Sequence, residues 1–342
     1  MTLHHTMKPI LLVFTGGTIG SQLSHGTIDT STSAGFKLIQ LFRDAYPEQA
    51  LVNFKTLQPV QLLSENLQPA IWRQIIQAIE AEDLNQFAGI IVTHGTDTLA
   101  FSAAMFGIYF NALKIPLLLV SSDLPLDNPK ANGLRNFICA VEYIRQQQPS
   151  GVFVPYQNPD QPMHVHIGTR LSGCLPLSSD FISVQSKPYQ HYENGSFSLL
   201  NPVILSPKPA ITLQARFARI LMIKPYPGLN YDGFALDHYD AVLHALYHSG
   251  TACASSTWGE QHNLIHFSQR CRQRALPLYL TPAIQSEDAY SSTRQLLAHG
   301  AQMIWNTSLE TAYVKLVLAY ANFADPHVIL DFLSADIALE KV

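Results

Sequence analysis

Charge is scarce in this 342-residue chain: Asp, Glu, Lys and Arg make up 13% of it, about half the share of an ordinary globular protein. With 21 Lys plus Arg against 25 Asp plus Glu, the formal net charge is −4. That balance offers no basic field to draw in nucleic acid or an anionic membrane, and neither is an expected partner. Cysteine is sparse as well. Cys139, Cys174, Cys253 and Cys271 stand far apart and form no C-x-x-C pair, so neither a zinc knuckle nor a dithiol redox site is signalled, and reduced thiols are expected. Long apolar runs are missing too. No stretch approaches the roughly 18 continuous apolar residues of a membrane span, because even Leu99 to Leu113 is broken by Ser102, Gly107 and Asn111. The run Ile10 to Phe14 is too short for the core of an export signal and leads directly into glycines, so the expected location is cytoplasmic.

Apolar content is what the chain has in quantity. At 47% hydrophobic residues it is not a disordered chain, and its length exceeds what one core usually serves, so two domains are expected. Short apolar runs alternate with segments of helical period: ILLVF (10–14) before a helix near 69–82, GIIV (89–92) before one near 98–112, and PLLLV (116–120) before one near 132–146. Continuous apolar strands separated by helices predict an α/β fold whose sheet is mostly parallel and covered by helices on both faces. VFVPY and MHVHI, joined by the polar NPDQP, read as a hairpin that adds antiparallel strands. Residues 195–214, with Pro202, Pro207 and Pro209, read as a linker between an N-terminal domain (1–194) and a smaller C-terminal α/β domain (215–342). The second domain is expected to carry strands in 219–228 and 277–280 and helices near 236–247, 260–273, 290–298 and 308–320, again on a parallel sheet.

Ligands of open parallel sheets bind beyond the carboxyl ends of the strands, and two segments stand there. Thr15-Gly16-Gly17-Thr18-Ile19-Gly20 follows the first strand, and Thr93-His94-Gly95-Thr96-Asp97-Thr98 follows the strand at 89–92. Gly17 and Gly95 let the backbone approach a ligand closely, while Thr18 and Thr96 offer hydroxyls that can attack, donate or accept. Asp97 has two readings, a helix cap or a carboxylate that holds a ligand ammonium. A nucleotide site does not fit, since neither G-x-G-x-x-G nor a terminal Gly-Lys-Ser/Thr is present and LVNFKTL (51–57) carries no ribose-binding acid. Metal is not expected either: His94 with Asp97, or His164 with His166, lacks a third and fourth ligand at recognisable spacing. His4 and His5, and His244 and His248, read as surface or packing residues.

TGGTIG, THGTDT and PYPG (225–228), together with LPLDNPKANGLRNF (124–137) and LAHGAQMIWNTSLETAYVKL (297–316), resemble the L-asparaginase family, most closely its cytoplasmic bacterial type. The resemblance implies a threonine-dependent amidohydrolase that releases ammonia from asparagine through an acyl-enzyme, without a cofactor, acting on a small amino-acid substrate as a homodimer or homotetramer. Carried over residue by residue, Thr18 matches the nucleophile, and Thr96 and Asp97 match the second threonine and the acid of THGTDT. Ser64, in the context LLSENLQPAIW that ends on Trp72, matches the serine that holds the substrate carboxylate. Glu65 either meets the substrate amine or begins a helix.

This chain departs from the family at two positions that assist proton transfer. Thr27 stands where a tyrosine is usual, with Phe36 the nearest aromatic downstream, and no lysine lies between Lys130 and Lys187. IGTRLSGC (167–174) puts Ser172, or Arg170 in a slipped register, at the lysine's place, and Arg170 holds charge without serving as a base. Lys130 is a candidate substitute. Asp123, an acid where the family commonly has none, is either a new site charge or a loop acid facing water. Three functions therefore remain open: asparagine hydrolysis at low or altered rate, hydrolysis of another amide, or amino-acid binding by a pocket that has lost proton transfer.

Overall fold

A strand covered on both faces needs apolar side chains at consecutive positions, and Ile10–Val13 supplies four, all fully buried. The computed structural model describes residues 7–24, 27–30, 32–203, 211–214 and 216–342; His4, His5, Pro207 and Pro209 fall outside them. The chain divides into two compact units, Met1–Ala210 with Ile337–Leu339, and Ile211–Asp336 with Glu340–Val342.

The first unit runs β1 (Ile10–Val13), β2 (Ser21–Ser24), β3 (Thr27–Thr30), α1 (Thr32–Ala45), β4 (Phe54–Leu57), α2 (Pro69–Glu80), β5 (Gly89–Thr93) and α3 (Leu99–Tyr109). It continues through β6 (Pro116–Val120), α4 (Gly133–Arg145), β7 (Gly151–Gln157), β8 (Met163–Ile167), β9 (Gln190–Glu193) and β10 (Ser196–Leu199). β2 and β3 pair with each other. The remaining strands form an eight-stranded sheet in the order β10-β9-β8-β7-β6-β5-β1-β4. It is parallel from β4 to β7 and antiparallel from β7 to β10, which is the mostly parallel sheet with an added hairpin that the apolar runs predict. Leu12, Ile91 and Leu118 pack with Phe42 of α1 and Phe137 of α4, whose rings meet edge-on at 5.4 Å. α3 is apolar nearly all round and almost wholly buried, as a helix covered on every side must be. Its buried Ser102 is an exception with a use at the site.

Strand order places the site. The chain passes from β1 to β4 on one side, then returns to place β5 on the other side of β1. The carboxyl ends of β1 and β5 therefore flank the point where the winding reverses, which is where an open α/β sheet leaves a crevice. Val13 and Val92 are register partners, so the segments that leave these two strands begin side by side.

Two expectations are corrected. Residues 196–199, read as part of a linker, form β10 and pair antiparallel with β9. The turn between them is Asn194-Gly195, both residues at positive φ (50° and 77°), the two-residue hairpin turn that Asn-Gly favours. The second correction lies in the other unit, which runs β11 (Ile220–Ile223), β12 (Ala241–Ala245), α5 (Leu264–Gln273), β13 (Leu278–Thr281), α6 (Ser291–Ala298), β14 (Gln302–Met303), α7 (Leu309–Asn322) and α8 (Pro326–Ser334). The helix expected near 236–247 is absent and β12 stands in its place. Leu236, Tyr239, Leu243 and Leu246 imitate a helical period, but all five residues of β12 are buried, and a parallel strand buried on both faces shows no alternation that would separate it from a helix. The strands form the smaller sheet in the order β11-β12-β13-β14, all parallel.

The second unit also closes on a buried ion pair. Lys315 of α7 donates to the Ala335 carbonyl at 2.6 Å and to Glu340 Oε1 at 2.7 Å, and both side chains are fully buried. Removing one partner strands the other charge, a loss of about 3–5 kcal/mol. Glu340→Ala should lower the urea-unfolding free energy by that amount. The double variant Lys315→Met/Glu340→Leu should recover most of it, because a packed apolar pair carries no desolvation cost.

Candidate active site

The two hydroxyl-bearing segments meet backbone to backbone. Thr15 leaves β1 with its amide donating to Thr93 Oγ1 at 3.3 Å and its hydroxyl donating to the Thr93 carbonyl at 2.5 Å. Two residues on, a Cβ added to Gly17 would sit 2.3 Å from the Gly95 nitrogen and 2.7 Å from the His94 carbonyl carbon. Gly17 also has φ +75°, a conformation other L-residues adopt at a cost. Thr18 and Thr96, each the residue after one of these glycines, are both half-buried.

A third segment joins them. Leu62 pairs with Gly16 as an isolated parallel bridge, donating to the Thr15 carbonyl at 3.1 Å and accepting from the Gly17 amide at 3.0 Å. This contact delivers Ser64, which is buried and donates to Asp97 Oδ2 at 2.9 Å. Thr98 returns the contact by donating to the Ser64 carbonyl at 2.9 Å. A Cβ on Gly95 would meet Ser64 Oγ at 2.4 Å, so Gly95 is where the three segments touch. Thr98, not Asp97, holds the N-cap position of α3. Asp97 is exposed and its carboxylate accepts from Ser64 instead of capping the helix. Glu65 is the middle residue of a short 3-10 turn, Ser64–Asn66, and is exposed.

Behind this surface His94 is buried with both ring nitrogens in use. Nδ1 lies 2.8 Å from the Gly95 carbonyl and Nε2 lies 2.8 Å from Ser102 Oγ, which accepts from Trp72 Nε1 at 2.8 Å. Burial pushes the His94 pKa down. His164 and His166 share one face of β8, and His166, bonded to Ser183 Oγ at 2.7 Å, is pushed down by burial to about 3. Among the described residues no three His, Cys, Asp or Glu side chains gather to hold a metal ion.

Two of the candidate substitutes for the family's tyrosine and lysine, Arg170 and Asp123, make bonds elsewhere. Arg170 donates through Nε to the Leu339 carbonyl. Asp123 and Asn132 clasp each other across their loop, each backbone amide donating to the other's side chain at 2.9–3.0 Å. Lys130 is exposed on that loop, and the Ser172 amide donates to the Ile182 carbonyl at 2.9 Å. The Thr27 backbone lies in β3, while its side chain is outside the described residues; Phe36 is exposed on α1. Among the described residues no lysine amine or tyrosine hydroxyl is hydrogen-bonded to Thr18 or Thr96. One neighbour carries no signal in the sequence: Cys174, half-buried, has its thiol pushed up by burial and then by the charges of Asp97 and Asp180. An isolated cysteine 77 positions from Asp97 cannot be tied to it before folding. Tyr156 lies in the same region, donating to the Ser179 carbonyl at 2.8 Å.

This geometry is open to two stability tests. Gly17→Ala meets backbone and an unfavourable φ, whereas Gly195→Ala has the same sign of φ (+77°) with nothing within 4 Å. Gly195→Ala should cost about 1–2 kcal/mol, and Gly17→Ala distinctly more, by thermal unfolding. Between pH 6.5 and about 4 the unfolded chain binds a proton at His166 that the folded chain refuses, so stability falls as pH falls. His166→Gln should flatten the slope of unfolding free energy against pH in that window by roughly 1.4 kcal/mol per pH unit.

Comparison with known proteins gives the family and the fold. Residues 9–201 match the sequence family described as "Asparaginase, N-terminal". Curated relatives include a glutamyl-tRNA(Gln) amidotransferase subunit of Haloquadratum walsbyi, 26% identical over 94% of this chain and 73% of its own length. Its counterpart in Saccharolobus solfataricus is 26% identical over 92% and 72%. Among solved structures, the thermostable L-asparaginase of Thermococcus kodakarensis superposes with a TM-score of 0.80 at 22% identity, covering 98% of this chain and 99% of that one. L-asparaginase I of Vibrio cholerae gives 0.78 at 20%, with the same coverage. The crevice at the carboxyl ends of β1 and β5, its paired glycine turns and the family match over most of the first unit lead to one conclusion: the chain belongs to the asparaginase family.

Proposed function

We propose that this chain hydrolyses the side-chain amide of asparagine, with Thr18 as nucleophile. The observation that carries the reading is the backbone contact of Gly17 with Gly95, which sets the two threonines on either side of one seam. Asp97 holds the substrate ammonium, and Ser64 turns its hydroxyl from Asp97 to the substrate carboxylate. Thr18 Oγ bonds to the amide carbon as its proton leaves, and the carbonyl electrons move to oxygen. The N–H groups around Thr96 receive that oxyanion. Breakdown expels ammonia, which takes the proton, and water then frees aspartate from the Thr18 ester.

Proton transfer is where this site differs from its family. His94 cannot take the Thr18 proton, being buried with both nitrogens engaged. Asp97 is the carboxylate next to Thr96, and a carboxylate is a weak base for an alcohol, so turnover is expected to be slow by roughly 10²–10⁴ relative to a base-assisted site. The active species in this reading is a homo-oligomer, a dimer or a dimer of dimers.

A second reading rests on the likeness, over nearly the whole chain, to the glutamyl-tRNA(Gln) amidotransferase subunits. In it the same threonine chemistry releases ammonia for use by a partner's active site, and the isolated chain is nearly idle. Purified protein should release ammonia from asparagine, and Thr18→Ala should lose about three orders of magnitude or more. Ammonia release that survives Thr18→Ala removes the proposed nucleophile. Thermal stabilisation by asparagine or aspartate without turnover would instead favour the amino-acid-binding role.

A further inference from the structure

We infer that Trp72, Ser102 and His94 form a one-way hydrogen-bond relay that aims the Thr96 N–H into the candidate active site, which makes these three side chains positioning residues for the oxyanion. This inference rests on the amidohydrolase reading for its catalytic meaning, though not for its geometry.

The direction of the relay follows from what each group can donate. The Trp72 indole only donates, and it donates to Ser102 Oγ at 2.8 Å. The Ser102 oxygen has two lone pairs, so its contact with His94 Nε2 at 2.8 Å is settled from the other side of the ring: the Gly95 carbonyl can only accept, and a neutral ring has one proton to give. His94 Nε2 is then the acceptor, and the ring proton sits on Nδ1, where it is donated to the Gly95 carbonyl at 2.8 Å. Trp72, Ser102 and His94 are 3%, 0% and 2% exposed, so water offers no substitute for any of these bonds. A second proton on the ring would place a positive charge among neutral partners, a carbonyl and a hydroxyl. Burial works in the same direction by disfavouring the charged ring.

The end of the relay is a peptide plane. In a trans peptide the carbonyl of one residue and the N–H of the next point in opposite directions. Holding the Gly95 carbonyl toward His94 therefore turns the Thr96 N–H to the other side of the loop. Among the described residues that N–H donates to no protein acceptor, and Gly95 itself is clamped between Gly17 and Ser64. A glycine peptide without this tether is free to rotate. α2 supplies Trp72 from its buried face and α3 supplies Ser102, so two helices set the orientation of one amide in the loop between β5 and α3. The proposed reaction leaves His94 without a role as a base, and the relay accounts for why a histidine is kept there.

Two replacements separate the nitrogens. An asparagine amide reaches about where Nδ1 lies and can keep the bond to the Gly95 carbonyl, whereas a glutamine amide reaches about where Nε2 lies and keeps only the Ser102 side. His94→Gln is expected to lose roughly 10²-fold in kcat with KM little changed, the scale of one oxyanion donor, while His94→Asn stays within about tenfold of the parent. Equal losses in both variants, or a loss confined to KM, would overturn the relay. An arm independent of turnover uses the parent protein with 15N-labelled histidine and 15N-labelled backbone. The His94 ring shifts should report the neutral Nδ1–H form at about pH 6, below the ordinary histidine pKa, and the Thr96 amide resonance should move in His94→Gln but not in His94→Asn. An Nε2–H ring, or a Thr96 amide that ignores His94→Gln, would refute the inference even in an active enzyme. Absence of ammonia release from the parent would defeat the functional reading alone and leave the resonance arm to decide the relay.

Discussion

Everything at the candidate site depends on two backbones in contact. β1 and β5 are neighbours in the sheet at the point where the winding reverses, and the segments that leave them stay together because Gly17 and Gly95 carry no side chain to hold them apart. Thr15 and Thr93 bond to each other through their hydroxyls just beyond the strand pairing, and Leu62 pairs with the first loop. The proposed nucleophile, the second threonine and the carboxylate are then brought together by the exclusion of Cβ atoms more than by any attraction among themselves. Attraction enters through Ser64, whose bond to Asp97 fixes the acid at the edge of this contact.

Such a seam explains how the site can keep its shape while its proton-transfer residues have changed. The architecture that holds Thr18, Thr96, Ser64 and Asp97 in place is made of main chain, glycine and buried helix, none of which needs the family's tyrosine or lysine. Arg170 and Asp123, two of the candidate substitutes, make bonds elsewhere in the chain. On the proposed reading, this chain has less help in deprotonating a hydroxyl, while the placement of the groups is provided for.

Much of the first unit is legible because its strands are short apolar runs closed by glycine or proline and its helices carry a helical apolar period, as α2 shows with buried Trp72, Ile75, Ile76 and Ile79 along one side. The misreadings have definite causes. β12 hid because complete burial erases alternation. β10 hid behind the prolines that follow it, although Asn194-Gly195 carries the strongest short-range hairpin signal there is. α8 starts with an Asp325 cap and Pro326, a readable helix start passed over beside the longer α7.

By itself the sequence determined the α/β class, the two glycine turns after their strands, and the residue types that point to threonine chemistry, because these depend only on local periodicity and on what a side chain can donate, accept or attack with. It also showed the missing tyrosine and lysine, since identity at a motif position needs no coordinates. Tertiary structure decided which groups share a space: that Ser64 reaches Asp97, that Arg170 is spent on a carbonyl, that Cys174 lies within the field of Asp97, and that His94 closes a chain from Trp72. Each of those pairs residues from different elements of the fold, and only the order in which strands are laid into a sheet, with helices packed over them, settles which distant side chains end within about 3 Å of one another.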